Sequence, residues 1–321
     1  MSNDVHTLES VEQLRPELTA YCYRMLGSIF DADDAVQDTF TRAWQNLHLF
    51  RQESSLRHWV YRIATNVCLD QLRSAKRRAL PMDLSDATHP IVVPNDTTPL
   101  TEWIWPLADA EGDPADVVMR KDTIRLAFIA TLQLLPPRQR AVLVLHDVFH
   151  WSASETGVAM EMSTAAVNSA LQRARATMNR AKLTSDGLRQ ADAEIDHQLL
   201  DKYVAAFERF DLAELVALFR DDGSLSMPPF VMWVQGKTDL ASFYEATRWH
   251  CLGSRLIPLK VNGNTPAFAQ YAPSSHGTLE PWGIHVLEIQ DRQIAHVHTF
   301  IDAALYPRFG LPTSLEVLQL P

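Results

Sequence analysis

The sequence predicts two all-α domains followed by an α+β domain, and three observations lead to this fold class. Apolar residues recur at helical spacing through most of residues 8–78 and again through residues 115–183. The acidic stretch between them, residues 79–114, contains six prolines and no Lys or Arg, which is typical of a linker. Residues 190–321 begin with helical spacing and continue with runs that alternate apolar and polar residues, as strands do.

Composition limits the classes of protein to which the chain can belong. Its 321 residues are 46% hydrophobic, and no apolar run approaches the ~20 residues that cross a bilayer. The first ten residues lack the basic and then apolar pattern of a signal peptide. The three cysteines are far apart, which argues against a disulfide framework or a cysteine zinc site. We therefore expect a cytoplasmic protein that has no membrane contact, no metal and no cofactor.

The net charge of −10 is unevenly distributed along the chain. Residues 1–78 have a net charge of zero, residues 79–118 one of −8, residues 119–186 one of +4 and residues 187–321 one of −6. Basic side chains cluster in two places, and an acidic connector separates them. This pattern is typical of a protein that contacts DNA at two sites. The two clusters are Arg73–Arg78 and Arg173–Lys182.

The first domain is predicted to contain three helices. The first ends at Gly27, the second starts near Asp31, and the third covers residues 56–78. The predicted core stripe of the second helix is Val36, Phe40, Ala43, Trp44 and Leu47. Its remaining surface is polar, and the alternative interpretation of that surface is a solvated face whose acids favour the helix N-terminus. The third helix is basic and follows an aromatic-containing loop, a combination that suits an unpaired DNA strand.

A helix-turn-helix is predicted in the second helical domain, between Trp151 and Arg180. Ser152 and Glu155 have the spacing of a capping box, and Ser163 is a candidate N-cap for the second helix. One face of that helix is an apolar stripe, and the other is polar and basic, as required for reading the DNA major groove. The stripe contains Val167, Leu171, Ala174 and Met178. An ordinary helical hairpin with a solvated basic face is the alternative interpretation.

Two segments resemble regions two and four of sigma-70-type RNA polymerase sigma factors of the extracytoplasmic-function group. Region two is carried by DADDAVQDTFTRAW and HWVYRIATNVCLDQLR, and region four by LPPRQRAVLVLHDVFHWSASETGVAMEMSTAAVNSALQRAR. Together they cover roughly half of the chain in the expected order. Three residues depart from the usual region-four pattern, which puts helix stability in question: Thr156, Gly157 and Glu161.

The resemblance implies two partners, core RNA polymerase and promoter DNA. The residues expected to face polymerase are Asp34, Gln37, Asp38 and Arg42. At the minus-ten element, Phe50 and Asn66 are expected near a flipped base, and the DNA backbone is expected near Arg73, Lys76, Arg77 and Arg78. Phe50 is equally well explained as a core residue of its loop. The minus-thirty-five element is expected to contact Asn168, Ser169, Gln172, Arg173 and Arg175. The linker segment WIWPLAD is expected to dock on a neighbouring domain or to enter the polymerase RNA channel.

The C-terminal segment is predicted to form an α+β cone, with helices first and a curved antiparallel sheet afterwards. It resembles the SnoaL-like domain that is fused to one subgroup of these sigma factors, on the residues DDGSLSMPP, VNGNTPAFAQY and FGLP. The resemblance implies a cavity that takes a small-molecule ligand, with candidate lining residues Trp233, Tyr244, His285, His298 and Asp302. His296 and His298 share a strand face, but no third ligand stands at a telling spacing, so a metal is not expected.

These observations favour a non-enzymatic transcription initiation factor whose C-terminal domain regulates it. Two alternatives remain open. One is an isomerase or cyclase that carries a DNA-binding module, in which Asp302 and a histidine abstract a proton next to a carbonyl. The other is a DNA-binding regulator that acts without polymerase.

Overall fold

The computed structural model describes residues 10–50, 55–73, 76–89, 97–109, 124–184 and 197–316. The chain divides into two compact units. One contains Met1–Arg78 and Ile104–Leu188, and the other contains Ala79–Trp103 and Arg189–Pro321. The predicted order of two helical segments followed by an α+β domain is confirmed. No helix in the described ranges has the length and apolar character needed to span a bilayer.

The N-terminal part of the first unit includes the helices α1 (Arg15–Leu26), α2 (Ile29–Gln45) and α3 (Leu56–Leu72). Gly27 separates α1 from α2 with a φ of 74°, a left-handed conformation that ends a helix at little cost for glycine. Ser28 then caps α2, because its Oγ accepts a hydrogen bond from the backbone N of Asp31.

Helix α3 ends earlier than the sequence predicts. The expected helix runs to Arg78, but α3 stops at Leu72, and residues 76–78 are not helical. The guanidinium of Arg78 is buried and forms an ion pair with Asp31 of α2. Asp31 lies on α2, and Arg78 reaches it because α3 ends before residues 76–78.

The core stripe of α2 is only partly as predicted. Val36 and Ala43 are buried, but Trp44 is 66% exposed. Seven residues correspond to two helical turns less about 20°, so Trp44 lies on nearly the same side of α2 as Gln37. The prediction that Trp44 belongs to the core is therefore wrong.

Four further helices follow in residues 124–184 of the first unit: α4 (Leu126–Gln133), α5 (Pro137–Leu143), α6 (Ala153–Met160) and α7 (Thr164–Thr184). A π-helical turn, Val144–Val148, continues α5. The predicted apolar stripe of α7 is buried at all four positions, Val167, Leu171, Ala174 and Met178, and packs toward α5 and α6. Burial of this stripe stabilises α7 more than its helix propensity does.

The two helical segments pack against each other within this unit. The ring of Tyr61 on α3 contacts Phe149 and Trp151, with centroid distances of 5.5 and 5.1 Å. Tyr21 of α1 also contacts Phe149, at 5.9 Å. His58 lies edge-on to Trp151 at 4.4 Å, and its Nε2 is 3.6 Å from Oε1 of Glu155 on α6. An aromatic cluster therefore joins α1 and α3 to the start of the helix-turn-helix.

The described part of the second unit contains a seven-stranded sheet and five α-helices. The helices are α8 (His197–Glu208), α9 (Leu212–Ala217), α10 (Lys237–Ala246) and α11 (Arg248–Cys251), and a short α12 (Leu305–Arg308) follows the last long strand. The strands are β1 (Phe219–Ser226), β2 (Trp233–Gln235), β3 (Arg255–Val261), β4 (Thr265–Pro273), β5 (Thr278–Gln290), β6 (Gln293–Phe300) and β7 (Leu315–Glu316). Their order is β2-β1-β6-β5-β4-β3, with β7 paired to β5.

This sheet is mixed rather than antiparallel, which corrects the prediction. β1 and β6 run parallel, with Leu225 opposite Val297, while the other pairs are antiparallel. The hairpin between β5 and β6 turns at Asp291 and Arg292, both with positive φ. One sheet face packs against α8, α9 and α10 to form the core around Tyr203, Phe207 and Leu287.

The first part of the linker lies along β2 in this second unit. The backbone N of Thr88 donates to the carbonyl of Trp233 at 2.8 Å, and the indole Nε1 of Trp233 donates to the carbonyl of Ser85 at 2.9 Å. Further along, the backbone N of Thr98 donates to the carbonyl of Pro229 at 3.1 Å. These contacts lie outside the segment WIWPLAD, for which docking was predicted. Within that segment, the backbone N of Trp105 donates to the carbonyl of Gly27 at 2.9 Å, and the indole contacts Phe30 in the first unit.

Candidate nucleic-acid interface

The helix-turn-helix has the local geometry that its sequence predicts. Ser152 Oγ accepts from the backbone N of Glu155 at 3.1 Å, and Glu155 Oε2 accepts from the backbone N of Ser152 at 2.8 Å. Ser163 Oγ accepts from the backbone N of Ala166 at 3.2 Å. The capping box of α6 and the N-cap of α7 are thus both present, and they fix where the two helices begin.

The turn between α6 and α7 explains two of the unusual residues. Glu161 has a φ of 54°, a left-handed conformation that glycine adopts at least cost. A Cβ added to Gly157 would lie 2.7 Å from the carbonyl oxygen of Met162. Gly157 therefore lets the turn pack closely against α6, and its low helix propensity is offset by this close approach.

The face of α7 opposite the buried stripe is exposed. Asn168, Ser169, Gln172 and Arg173 all lie there with exposed side chains. Amide, hydroxyl and guanidinium groups on one exposed helix face are able to reach base edges and phosphates in a major groove. This arrangement is what a DNA-reading helix requires.

Arg175 has a partner within the chain, Asp147. Its Nε lies 3.0 Å from Oδ2 of Asp147, and its Nη2 lies 2.6 Å from Oδ1. Burial alone would raise the pKa of Asp147, but hydrogen bonds from Arg175 and His146 outweigh it and lower that pKa. The sequence prediction placed Arg175 at DNA, whereas the structure places it in a bidentate ion pair with the turn after α5.

Only some of the residues expected at the minus-ten element are exposed. Asn66 is exposed in the middle of α3, and Phe50 is half-buried against Trp59, with ring centroids 5.3 Å apart. Arg73, Lys76 and Arg77 are exposed, and Arg73 pairs with Asp70 at 3.2 Å. Arg78 is buried against Asp31, so it does not share the exposed basic surface that the sequence predicted.

The residues expected to face polymerase form one exposed face of α2. Asp34, Gln37, Asp38 and Arg42 are all exposed, and Nη1 of Arg42 lies 3.4 Å from Oδ2 of Asp70. The exposed indole of Trp44 extends this face beyond Gln37. Sequence reasoning missed Trp44, although its seven-residue spacing from Gln37 was the available signal.

The five residues predicted to line one cavity of the C-terminal domain do not come together. His285 faces the helices, whereas His298 lies opposite Val286 on the other face of the sheet, because neighbouring residues of a strand alternate in direction. Trp233 binds the linker, and Asp302 accepts from the backbone N of Ala304 at 2.9 Å. Of the five, Tyr244 and His285 are both buried on the helix side.

His285 sits in a hydrogen-bonded chain of buried side chains. Tyr203 Oη lies 2.8 Å from its Nδ1, and Gln270 Oε1 lies 2.9 Å from its Nε2. Gln270 Nε2 donates to the carbonyl of His250 at 2.6 Å, which fixes the amide orientation, so Nε2 of His285 carries the proton. Burial lowers the pKa of His285 to about 3. A neutral histidine with both nitrogens bonded is a structural group in this geometry.

A second chain of polar side chains crosses the opposite sheet face. Ser226 Oγ lies 3.0 Å from both Nε2 of His296 and Nδ1 of His298, and His298 Nε2 lies 3.2 Å from Oε1 of Glu288. The carboxylate beside a histidine is thus Glu288 rather than the predicted Asp302. No group of three His, Cys, Asp or Glu residues suited to a metal ion occurs among the described residues.

Comparison with known proteins agrees with this geometry. Residues 10–78 match the Sigma-70 region 2 family, and residues 125–178 match Sigma-70, region 4. The ECF RNA polymerase sigma factor SigG of Mycobacterium tuberculosis is 41% identical over 314 residues, covering 95% of this chain and 83% of its own length. SigJ from the same organism is 28% identical over 239 residues, covering 72% of this chain and 70% of its own.

The fold is also similar to a solved structure. The crystal structure of the Mycobacterium tuberculosis extracytoplasmic function sigma factor SigJ covers 96% of this chain and 99% of its own, with a TM-score of 0.59 and 21% sequence identity. At this identity the likeness establishes the fold. With two sigma-70 regions in order and a relative of 41% identity along nearly the whole chain, the protein belongs to the ECF family of RNA polymerase sigma factors, which are transcription initiation factors and not enzymes.

Proposed function

We propose that this chain directs core RNA polymerase to promoters by contacting the minus-thirty-five element with α7. The observation that carries the proposal is the division of α7 into a buried apolar stripe and an exposed face with Asn168, Ser169, Gln172 and Arg173. The two faces leave the polar side chains available for a major groove while the helix stays anchored. We also infer that the protein acts in the cytoplasm, where its polymerase partner is found.

The exposed face of α2 is proposed as the polymerase-binding surface. It combines the carboxylates of Asp34 and Asp38 with the exposed indole of Trp44. Aromatic residues that stay exposed in an isolated chain are enriched at the centres of protein interfaces. Trp44 therefore extends the expected set of polymerase contacts by one residue.

The minus-ten element is proposed to bind along α3 and the chain after it. Asn66, Arg73, Lys76 and Arg77 are exposed on this side and supply amide and cationic groups for an unpaired strand. The burial of Phe50 against Trp59 supports a role in shaping the loop, so contact of Phe50 with a flipped base requires this ring pair to separate.

The C-terminal domain is proposed to regulate the factor through the linker. Its β2 strand holds the backbone of Ser85 and Thr88, and the Trp233 side chain provides one of these hydrogen bonds. A linker that is hydrogen-bonded along β2 cannot occupy the polymerase RNA channel at the same time. Release of Ser85 and Thr88 from β2 is then the step that this domain controls.

A binding and transcription assay tests the polymerase and promoter assignments together. Asp38→Arg is expected to weaken the affinity of the full chain for core polymerase about tenfold or more, because it reverses a charge at the interface. The matched control is Asp201→Arg on the exposed surface of α8, which should leave affinity unchanged.

The same assay separates a sigma factor from a regulator that acts alone. A sigma factor should give promoter-specific transcripts only together with core polymerase and should bind duplex DNA weakly without it. Tight promoter binding by the isolated chain, together with equal polymerase affinity of Asp38→Arg and Asp201→Arg, would contradict the proposal.

A further inference from the structure

A cavity of about 200 Å³ opens between α3 and the α4–α5 pair of the first unit. One wall comes from the end of α3 and residues 76–78, and the other from Gln133, Leu135, Pro137 and Arg140. Four of its lining residues are basic, namely Lys76, Arg77, Arg78 and Arg140, and one is acidic, Asp31. Since Asp31 is paired with Arg78, the cavity has an excess of positive charge.

Arg140 supplies a buried positive charge that has only uncharged acceptors. Its guanidinium is 3% exposed and donates to the carbonyls of Met25, Gln133 and Leu135 and to Oε1 of Gln133. Within the described part of the chain, no carboxylate forms an ion pair with it. Burial lowers the pKa of Arg140 to about 10, so the group remains charged at neutral pH. Buried charges are ordinarily paired with an opposite charge.

Three polar atoms of the cavity wall are buried and have no hydrogen-bond partner among the described residues. They are Nε of Arg140, Nε2 of Gln133 and Oε1 of Gln71. The Gln133 amide is oriented by Arg140, because its Oε1 accepts from Nη1 at 2.5 Å. Its Nε2 is therefore a donor, and Gln133 is 3% exposed. Two unpartnered donors beside an unneutralised guanidinium form an anion-binding arrangement.

We propose that this cavity binds a phosphate group of a small soluble ligand, held by Arg140, Gln133 and Arg77. Its volume lies below the ~300–1,000 Å³ of pockets that enclose a drug-sized molecule, so one phosphate or a diphosphate fits rather than a complete nucleotide. A tetrahedral anion matches the donors because it accepts several N–H groups at once. Arg77, at the exposed mouth, contacts the outer oxygens.

Anion binding at this site would affect promoter engagement, and this consequence rests on the proposed function. Its walls belong to both helical segments, so a bound anion stabilises the arrangement in which they are packed together. Phosphate would then oppose the separation of the two promoter-binding surfaces. The binding itself does not depend on transcription and is tested without it.

Thermal unfolding of the full chain in sodium phosphate, sodium pyrophosphate or sodium chloride at equal ionic strength provides the first test. Phosphate and pyrophosphate should raise Tm in a saturable manner, and isothermal titration should give one site per chain. Arg77→Ala should weaken pyrophosphate binding about tenfold, since a hydrogen bond to a charged group is lost. Arg138→Ala, an exposed arginine of α5 outside the cavity wall, should leave binding unchanged.

Gln133→Glu gives a second test that does not fail through misfolding. It places a carboxylate beside Arg140, so this variant should have a higher Tm than the parent chain without phosphate and should no longer respond to phosphate. Equal responses to phosphate and chloride in the parent chain would overturn the proposal. So would stabilisation by a single-stranded oligonucleotide that phosphate and pyrophosphate do not reproduce, which would assign the site to the DNA backbone.

Discussion

Tyr61 and Trp151 are in ring contact, with centroids 5.1 Å apart, although 90 residues separate them in the sequence. Tyr61 belongs to the helix assigned to the minus-ten element, and Trp151 precedes the helix-turn-helix assigned to the minus-thirty-five element. Promoter elements about 25 base pairs apart are separated by ~85 Å at 3.4 Å per pair. If the proposed assignments hold, both elements cannot be bound while this contact persists, and we predict that the factor opens when it engages a promoter.

Joining the two segments should block promoter-dependent transcription. His58 and Glu155 face each other across the contact at 3.6 Å, and cysteines at both positions can be linked by a short bismaleimide. Cys22, Cys68 and Cys251 are buried, so they should remain unmodified in the folded chain. We expect the linked double variant to lose transcription with core polymerase, while each single variant treated with the same reagent keeps it. Full transcription by the linked chain would show that opening is not required.

Two substitutions in the turn of the helix-turn-helix should change stability in opposite directions. Gly157→Ala should destabilise the chain by ~1–3 kcal/mol, because its new Cβ would lie 2.7 Å from the carbonyl oxygen of Met162. Glu161→Gly should stabilise it by roughly 0.5–1 kcal/mol, because glycine adopts the φ of 54° without the left-handed penalty. Urea unfolding measures both. A stabilising Gly157→Ala would mean that helix propensity outweighs this close contact.

Arg173 and Arg175 provide a matched pair on one helix. Arg173→Ala should weaken promoter binding by the polymerase complex about 10- to 100-fold, the cost of losing a base or phosphate contact. Arg175→Ala should instead lower stability by ~0.2–1 kcal/mol, because its partly exposed partner is Asp147. Promoter affinity and unfolding midpoints, measured on both variants, separate the two roles. A greater loss of promoter affinity for Arg175→Ala would return Arg175 to the DNA-contacting set.

The α+β domain should lose stability as the pH falls below about 6.5. Burial holds the pKa of His285 at about 3 in the folded chain, whereas an unfolded histidine titrates near 6.5. The unfolded state therefore binds one more proton between these values, and each pH unit costs about 1.4 kcal/mol. His296, whose pKa is also lowered by burial and by His298, adds to this slope.

His285→Gln should reduce that slope by about 1.4 kcal/mol per pH unit between pH 6 and pH 4. Hydrogen exchange of β5 amides across urea titrations at several pH values reports the domain's own unfolding. The Arg175→Ala chain, which is altered in the other unit, serves as the control and should keep the slope of the parent chain. An unchanged slope in His285→Gln would mean that the ring is protonated in the folded domain.

Local sequence patterns predicted the features that depend on neighbouring residues. The capping box of Ser152 and Glu155 and the stripe of α7 are set by spacings of three and four residues, so they could be found in the sequence. The exposed face of α2 with Asp34 and Asp38 follows from the same helical period.

Features that depend on distant partners were beyond the reach of these patterns. Arg78 is buried because Asp31, 47 residues earlier, lies next to it, and Trp44 is exposed because the described structure places no element over that side of α2. The parallel pairing of β1 with β6 joins residues about 70 apart, and no local signal specifies it. The separation of His285 and His298 onto opposite sheet faces depends on the register of β5 and β6.

Initiation by the full chain with core RNA polymerase, measured as transcripts from a genomic fragment library, tests the central claim most directly. We expect transcripts with defined start sites that share minus-ten and minus-thirty-five elements, and we expect Asp38→Arg to abolish most of them. A chain that does not associate with core polymerase, or that yields only the transcripts of core polymerase alone, would contradict the account.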